Sequence, residues 1–175
     1  MSFGWEGEKA RLVPIDRERH LENCYRWLND PAVTEYLAIG DFPLSRLAET
    51  EFFDRMEKAS ETDIVFAIET LNGKHIGMSG IHQISFRHGR GTTGTFIGDK
   101  DFWNKGFGTD SARIRTKYAF EVVGLRLLVS GVYGSNERSI AMLKRAGYIE
   151  VGRIPRYWWK RGKWEDEVLM VAERP

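Results

Sequence analysis

The chain has 175 residues, 42% of them hydrophobic and 29% charged, with 26 basic against 25 acidic side chains. That length fits a single domain spanning residues 1–175 with a substantial core, and the composition excludes a disordered or fibrous chain. A net charge of +1 exerts no global pull toward nucleic acid or a membrane surface, one cysteine excludes an internal disulfide, and neither a signal core nor the roughly 20 apolar residues of a membrane span is present, so the expected location is cytoplasmic.

Arg11–Ile15 reads as a first strand, with Pro14 placing it at a sheet edge because proline donates nothing to a ladder. Asp16 caps a helix in which Leu21, Cys24, Tyr25 and Leu28 recur at helical spacing, and Cys24 on that face reads as a core thiol. Asn29-Asp30-Pro31 ends this helix and predicts another, with Pro31 at its first position, Val33, Tyr36 and Leu37 turned inward, and Gly40 closing it. Ser45 caps a third helix, Arg46 to about Ala59, with Leu47, Phe52, Phe53 and Met56 on its buried side.

Ile64–Glu69 and His75–Ile84 are strands joined through Asn72-Gly73, a dipeptide suited to a type I′ turn. Gly89-Arg90-Gly91-Thr92-Thr93-Gly94 matches the dinucleotide pattern Gly-x-Gly-x-x-Gly in form only, because a strand, Thr93–Gly98, follows where a helix would be required. A hairpin turn is the reading adopted. A helix from Thr109 to about Val123 sets Asp110, Arg113, Lys117 and Glu121 on one solvated face and ends at Gly124. Leu125–Val132 is a largely apolar strand of the doubly buried kind, and Asn136–Ala146 is a helix stopped by Gly147. Tyr148–Ile154, Arg156–Lys160 and Trp164–Val171 complete the sheet, with Arg161-Gly162-Lys163 as a turn. The sum is an α/β (α+β) domain: a mixed, largely antiparallel sheet flanked by helices.

One stretch organises this pattern. The strand Thr95–Gly98 leads through a turn into Asn104-Lys105-Gly106-Phe107-Gly108, and a helix opens at Thr109. The first amides of a helix lack intrahelical partners and lie at the positive end of its dipole, so they attract anions. Gly106 and Gly108 remove the Cβ atoms that would hold a phosphate away, and Lys105 adds charge.

Phe102-Trp103-Asn104-Lys105-Gly106-Phe107-Gly108-Thr109-Asp110 resembles the acyl-CoA pyrophosphate loop of the GNAT acetyltransferase superfamily. Trp103 stands where the usual Gln or Arg would be, as in the branch that resembles ribosomal-protein-alanine and polyamine acetyltransferases. Asn136-Glu-Arg-Ser139, running on to Leu143 and to Gly147-Tyr148, is similar to a second motif of the family. Trp27–Pro31 and Gly162–Asp166 extend the resemblance over nearly the whole chain. It implies a cofactor cleft between two splayed central strands, with acetyl-CoA as co-substrate and a protein N-terminus or small-molecule amine as acceptor. Phe96, Ile97 and Gly98 would align the pantetheine through their backbone, and the amides from Asn104 to Thr109, beside Trp103, would hold the pyrophosphate. Asn136 would contact the cofactor arm, and Ser139 would stabilise or protonate the leaving sulfur. Leu143 stands where many members carry a tyrosine acid, which leaves a binding module without turnover as an alternative.

The base is open among Glu35, Glu69, His82 and Asp166, chosen by region alone. One cysteine and four scattered histidines cannot supply a usual zinc set, and no Walker loop or nucleophile elbow occurs. Arg153–Trp164 interleaves Arg153, Arg156, Lys160, Arg161 and Lys163 with Tyr157, Trp158, Trp159 and Trp164. That is the composition of a nucleic-acid surface, or of a hairpin whose tryptophans are core or homodimer contacts. The second reading is adopted, so nucleic acid is not an expected partner.

Overall fold

In the computed structural model, which describes residues 5–58 and 60–175, eight strands form one sheet. They are β1 (Trp5–Glu6), β2 (Ala10–Pro14), β3 (Ile64–Thr70), β4 (His75–Ser85), β5 (Arg90–Ile97), β6 (Leu127–Tyr133), β7 (Ile149–Lys160) and β8 (Lys163–Glu173). The spatial order is β1-β2-β3-β4-β5-β6-β8-β7. Every pairing is antiparallel except β5 with β6, which run parallel through only Arg90↔Leu127, Gly91↔Leu128 and Thr92↔Val129.

Strand alternation sorts the apolar residues onto two faces. On β3, Ala67 packs into a cluster with Leu21, Cys24 and Trp27 of α1 (Arg17–Leu28) and Phe53 of α2 (Arg46–Met56). Its neighbours Phe66 and Ile68 turn the other way, onto Ile114 of α3 (Phe107–Glu121). Farther along that second face, Ala112, Ala119 and Phe120 of α3 and Ile140 and Leu143 of α4 (Glu137–Arg145) cover Ile81, Leu128, Val132, Val168 and Met170. Cys24 is 1% exposed, and burial pushes its thiol pKa far up, which is the behaviour of a core thiol.

Caps and turns follow the local sequence closely. Asp16 accepts from the Arg19 amide at 3.0 Å and Ser45 from the Ala48 amide at 3.1 Å. Arg161 and Gly162 both have positive φ, +48° and +85°, which makes the β7–β8 connection a two-residue hairpin of the I′ kind. Pro14 pairs with Phe66 on one side and extends past the short β1 on the other, as an edge proline should.

Other expectations are corrected. Between Asp30 and Gly40 there are turns and no helix. The Leu37, Ile39, Pro31 and Gly40 carbonyls accept from Lys160 Nζ and the Arg161 guanidinium, at 2.7–3.3 Å, so long-range donors hold the segment in its turns. Leu47 is 67% exposed, and α2 ends at Met56, while Ala59 lies outside the described residues. Only Gly73 of Asn72-Gly73 has positive φ, and the Gly73 amide donates to the Thr70 carbonyl, so the turn is a longer one and not type I′. The β4–β5 turn lies at residues 86–89, so Gly91 and Gly94 sit within the strand.

Asp110 is the largest correction. Its carboxylate is buried, 7% exposed, and accepts from the amides of Glu8, Lys9 and Ala10 at 3.2, 2.8 and 2.9 Å. It fastens the β1–β2 turn to the first turn of α3. Asp110→Ala leaves three amides without an acceptor, two of them only partly buried, and should cost roughly 2–4 kcal/mol. Urea unfolding is the check: the midpoint falls while the m-value holds.

Candidate functional site

Beyond Thr92 and Val129 the two parallel strands part, since β5 stays with β4 and β6 stays with β8. The gap opens into a cavity of about 620 Å³. The Gly98 amide donates to the Ile76 carbonyl. Because antiparallel pairing alternates, Phe96 and Gly98 are therefore spent on β4, and Thr93, Thr95 and Ile97 turn their backbone groups toward the gap. Two of those carbonyls already have donors: Ser130 Oγ reaches Thr93 at 3.2 Å, and the Trp103 indole reaches Ile97 at 2.7 Å. The expectation that Phe96, Ile97 and Gly98 present the backbone thus becomes Thr95 and Ile97. The Phe96 ring packs edge-on to Trp27, and Gly98 is glycine because the Trp27 ring lies where a Cβ would stand.

The loop after β5 delivers the rest. A short 3-10 turn, Lys100–Phe102, precedes Trp103 and Asn104, the latter with φ +59°. Gly106 follows at φ +87° as the residue before α3, and no side chain caps that helix. The first intrahelical bond runs from the Asp110 amide to the Gly106 carbonyl. The amides of Phe107, Gly108 and Thr109 are therefore without helical acceptors, and all three residues line the cavity with Trp103, Asn104 and Gly106. Gly108 is constrained by packing, as a Cβ there would stand 2.9 Å from the Met142 sulfur on α4.

Asn136 caps α4, its Oδ1 accepting from the Ser139 amide at 3.1 Å. Both residues line the cavity, so capping and exposure to the gap coexist. Lys105 is exposed and lies outside the cavity wall. The cations there are Arg138, stacked 5.4 Å over the Trp103 ring, Arg145 and Arg115. Arg115 is 1% exposed and has no carboxylate partner among the described residues. It donates to Ser79 Oγ, the Gly94 carbonyl, Thr95 Oγ1 and Tyr148 OH, directly beneath the parting strands. Leu143, 2% exposed, belongs to the core and also reaches the cavity wall.

The opposite wall comes from residues 32–38, Tyr133 and Trp158. Lys160, buried at its ammonium, and Arg161 hold that segment, and Asp41 pairs with both. Arg153 pairs with Glu150 and Lys163 with Glu165. Four of the five hairpin cations thus have partners within the chain, Arg153 and Lys163 at its exposed surface, and Tyr157, Trp159 and Trp164 are exposed as well.

Comparison with known proteins agrees with this geometry. The model of the acetyltransferase (GNAT) domain matches residues 9–149. The probable N-acetyltransferase YjcK of Bacillus subtilis is 32% identical over 131 residues, 72% of this chain and 69% of that protein. Among solved structures, the spermidine N-acetyltransferase of Vibrio cholerae with CoA and spermine superimposes with a TM-score of 0.85 at 18% identity, over 94% of this chain and 95% of that one. RimJ of Mycobacterium smegmatis with CoA disulfide gives 0.82 at 17% identity, over 94% and 81%.

Of the four candidate bases only Glu35 lines the cavity. His82 pairs with Asp63 at 2.9 Å, and Asp166 accepts from the Arg156 amide at 2.9 Å where β7 departs from its register. Glu69 is fully buried beneath α1, held by Arg11 at 2.8 Å, by Arg19 and by His20. The Asp16 amide donates to His20 Nδ1, so Nε2 carries the proton toward Glu69. His75 stacks on His20 at 4.5 Å between centroids and shares a hydrogen bond with the Gly77 carbonyl through Nε2. Burial, then the neighbouring His20, push the His75 pKa down to about 4. Between about pH 6.5 and that value the unfolded chain binds a proton that the folded chain refuses, so stability falls as pH drops through the window. Denaturant titrations from pH 7 to 4 should show this slope, and His75→Gln should flatten it.

Proposed function

The chain belongs to the GNAT acetyltransferase family of acetyl-CoA-dependent N-acetyltransferases, and we propose that it moves the acetyl group directly onto a primary amine, a protein N-terminus or a small-molecule amine. The observation that carries this reading is the cavity between β5 and β6. It is walled by α3 and α4 on one face of the sheet and by residues 32–38 and Trp158 on the other. Donor and acceptor can therefore meet in the gap from opposite faces, with no covalent relay.

The residues divide the work by their chemistry. The open amides of Phe107, Gly108 and Thr109 suit a pyrophosphate, and Arg138 beside Trp103 places a cation there. The backbone of Thr95 and Ile97 suits an extended pantetheine arm as an added strand, and an amide on that edge can polarise the thioester carbonyl. Ser139 offers a hydroxyl on the α4 side of the gap for the departing sulfur, and Asn136 supports the arm. Acetyl-CoA, when bound, supplies the activated acyl group.

Saturating acetyl-CoA should raise the unfolding midpoint, by about 2.7 kcal/mol of added stability at 100 times its Kd. Gly106→Glu, which puts a carboxylate on the cradle, should abolish the shift. A wild type whose midpoint does not move would sink the reading. Thiol release with spermidine or a short peptide bearing a free α-amino group then separates turnover from binding alone. In that assay Ser139→Ala should lower kcat roughly 100-fold, as loss of a proton donor does, with the acetyl-CoA shift retained.

A further inference from the structure

We propose that Glu167 is the carboxylate that takes the proton of the acceptor amine; the inference rests on the acyl-transfer reading above and names its missing base. Glu167 lies on β8 opposite Tyr133 of β6 and Ile154 of β7. Alternation sends its neighbours Val168, Met170 and Ala172 into the core under α3 and α4, so Glu167 faces the other side of the sheet, where residues 32–38 close the gap. Its Oε1 occupies the place a Cβ would take at Gly131, and that glycine lines the cavity on the diverging part of β6. A glycine at this point lets a carboxylate lie over the strand beside the gap. Trp158, another cavity residue, packs on Tyr133, the cross-strand partner of Glu167.

The surrounding groups leave this carboxylate unclaimed. Asp41 is held by Lys160 and Arg161, and Glu165 by Lys163 and the Ser135 amide. The phenol of Tyr133 senses Asp41, Glu165 and Glu167 together, and its ring packs against Tyr36 and Trp158. From the 31–41 segment, Glu35 and Tyr36 complete the set on the cavity wall. Glu167 has no ion-pair partner among the described residues, and desolvation raises its pKa from the ordinary glutamate value. Glu167 is not itself part of the cavity wall, but its carboxylate lies over Gly131, which is, and no cation among the described residues holds it there.

The step balances without another reactant. The nitrogen forms its bond to the thioester carbon and the carbon–sulfur bond breaks. Of the two protons the ammonium sheds, one passes through Glu167 to solvent and the other ends on the departing thiolate.

The test uses the full chain with acetyl-CoA and, as acceptor probes, spermidine and a short peptide with a free α-amino group. Glu167→Gln should lower kcat roughly 100-fold or more, the usual scale of a lost general base, while the acetyl-CoA thermal shift stays as in the wild type. The acid limb of the wild-type pH–rate profile should vanish in this variant, and Glu167→Asp should recover part of the rate. Those three results together would not arise from a structural role, and the unliganded midpoints show whether each variant is folded. A folded Glu167→Gln within twofold of wild-type kcat overturns the assignment and leaves the acyl-transfer reading intact. A wild type that neither binds acetyl-CoA nor releases thiol overturns both.

Discussion

The divergence of β5 from β6 is the constraint on which the rest of the molecule depends. Three parallel rungs hold the strands together, the Ser130 hydroxyl makes one more link to Thr93, and beyond it each strand follows its other neighbour. A sheet interior normally leaves no backbone edge open, because unpaired amides and carbonyls are costly away from water. Here an edge is kept open inside the sheet, at Thr95 and Ile97. The Trp103 indole takes one of its carbonyls, and Arg115 braces the strand from below.

Arg115 shows how the opening is sustained. A buried guanidinium without a carboxylate is costly, and its two terminal nitrogens offset that by donating to four neutral oxygens on β4, β5 and Tyr148 just before β7, while Nε is left without a partner. It ties the floor of the gap to three elements at once. Its charge, the positive end of α3 and Arg138 give one side of the cavity a positive field, while Glu35 lies in the wall that residues 32–38 make. In the proposed reaction that field suits the phosphate-bearing donor.

The acceptor wall is a tertiary product. Residues 31–40 carry a proline at a helix-starting position and inward-facing apolar residues, yet their carbonyls are taken by Lys160 and Arg161 from a hairpin more than a hundred residues away. Two of the five cations that make Arg153–Trp164 look like a nucleic-acid surface, Lys160 and Arg161, are the fastenings of this wall.

What the sequence determined by itself is what the backbone decides locally. Gly106 at the mouth of α3, the caps Asp16, Ser45 and Asn136, and the Arg161-Gly162 turn all act within four residues, so their types and spacing suffice. The uncapped start of α3 at the cavity was legible for that reason. Only the tertiary structure decided the roles of Asp110, Arg115, Lys160 and Glu167. Asp110 reads as one charge of a solvated helical face until the β1–β2 turn closes over it. Glu167 reads as one of three acidic residues in a strand until Gly131 opens a place for its carboxylate. A charged side chain takes its function from the partners that folding brings to it, and those partners lie from 20 to more than a hundred residues away, beyond the range of any local pattern.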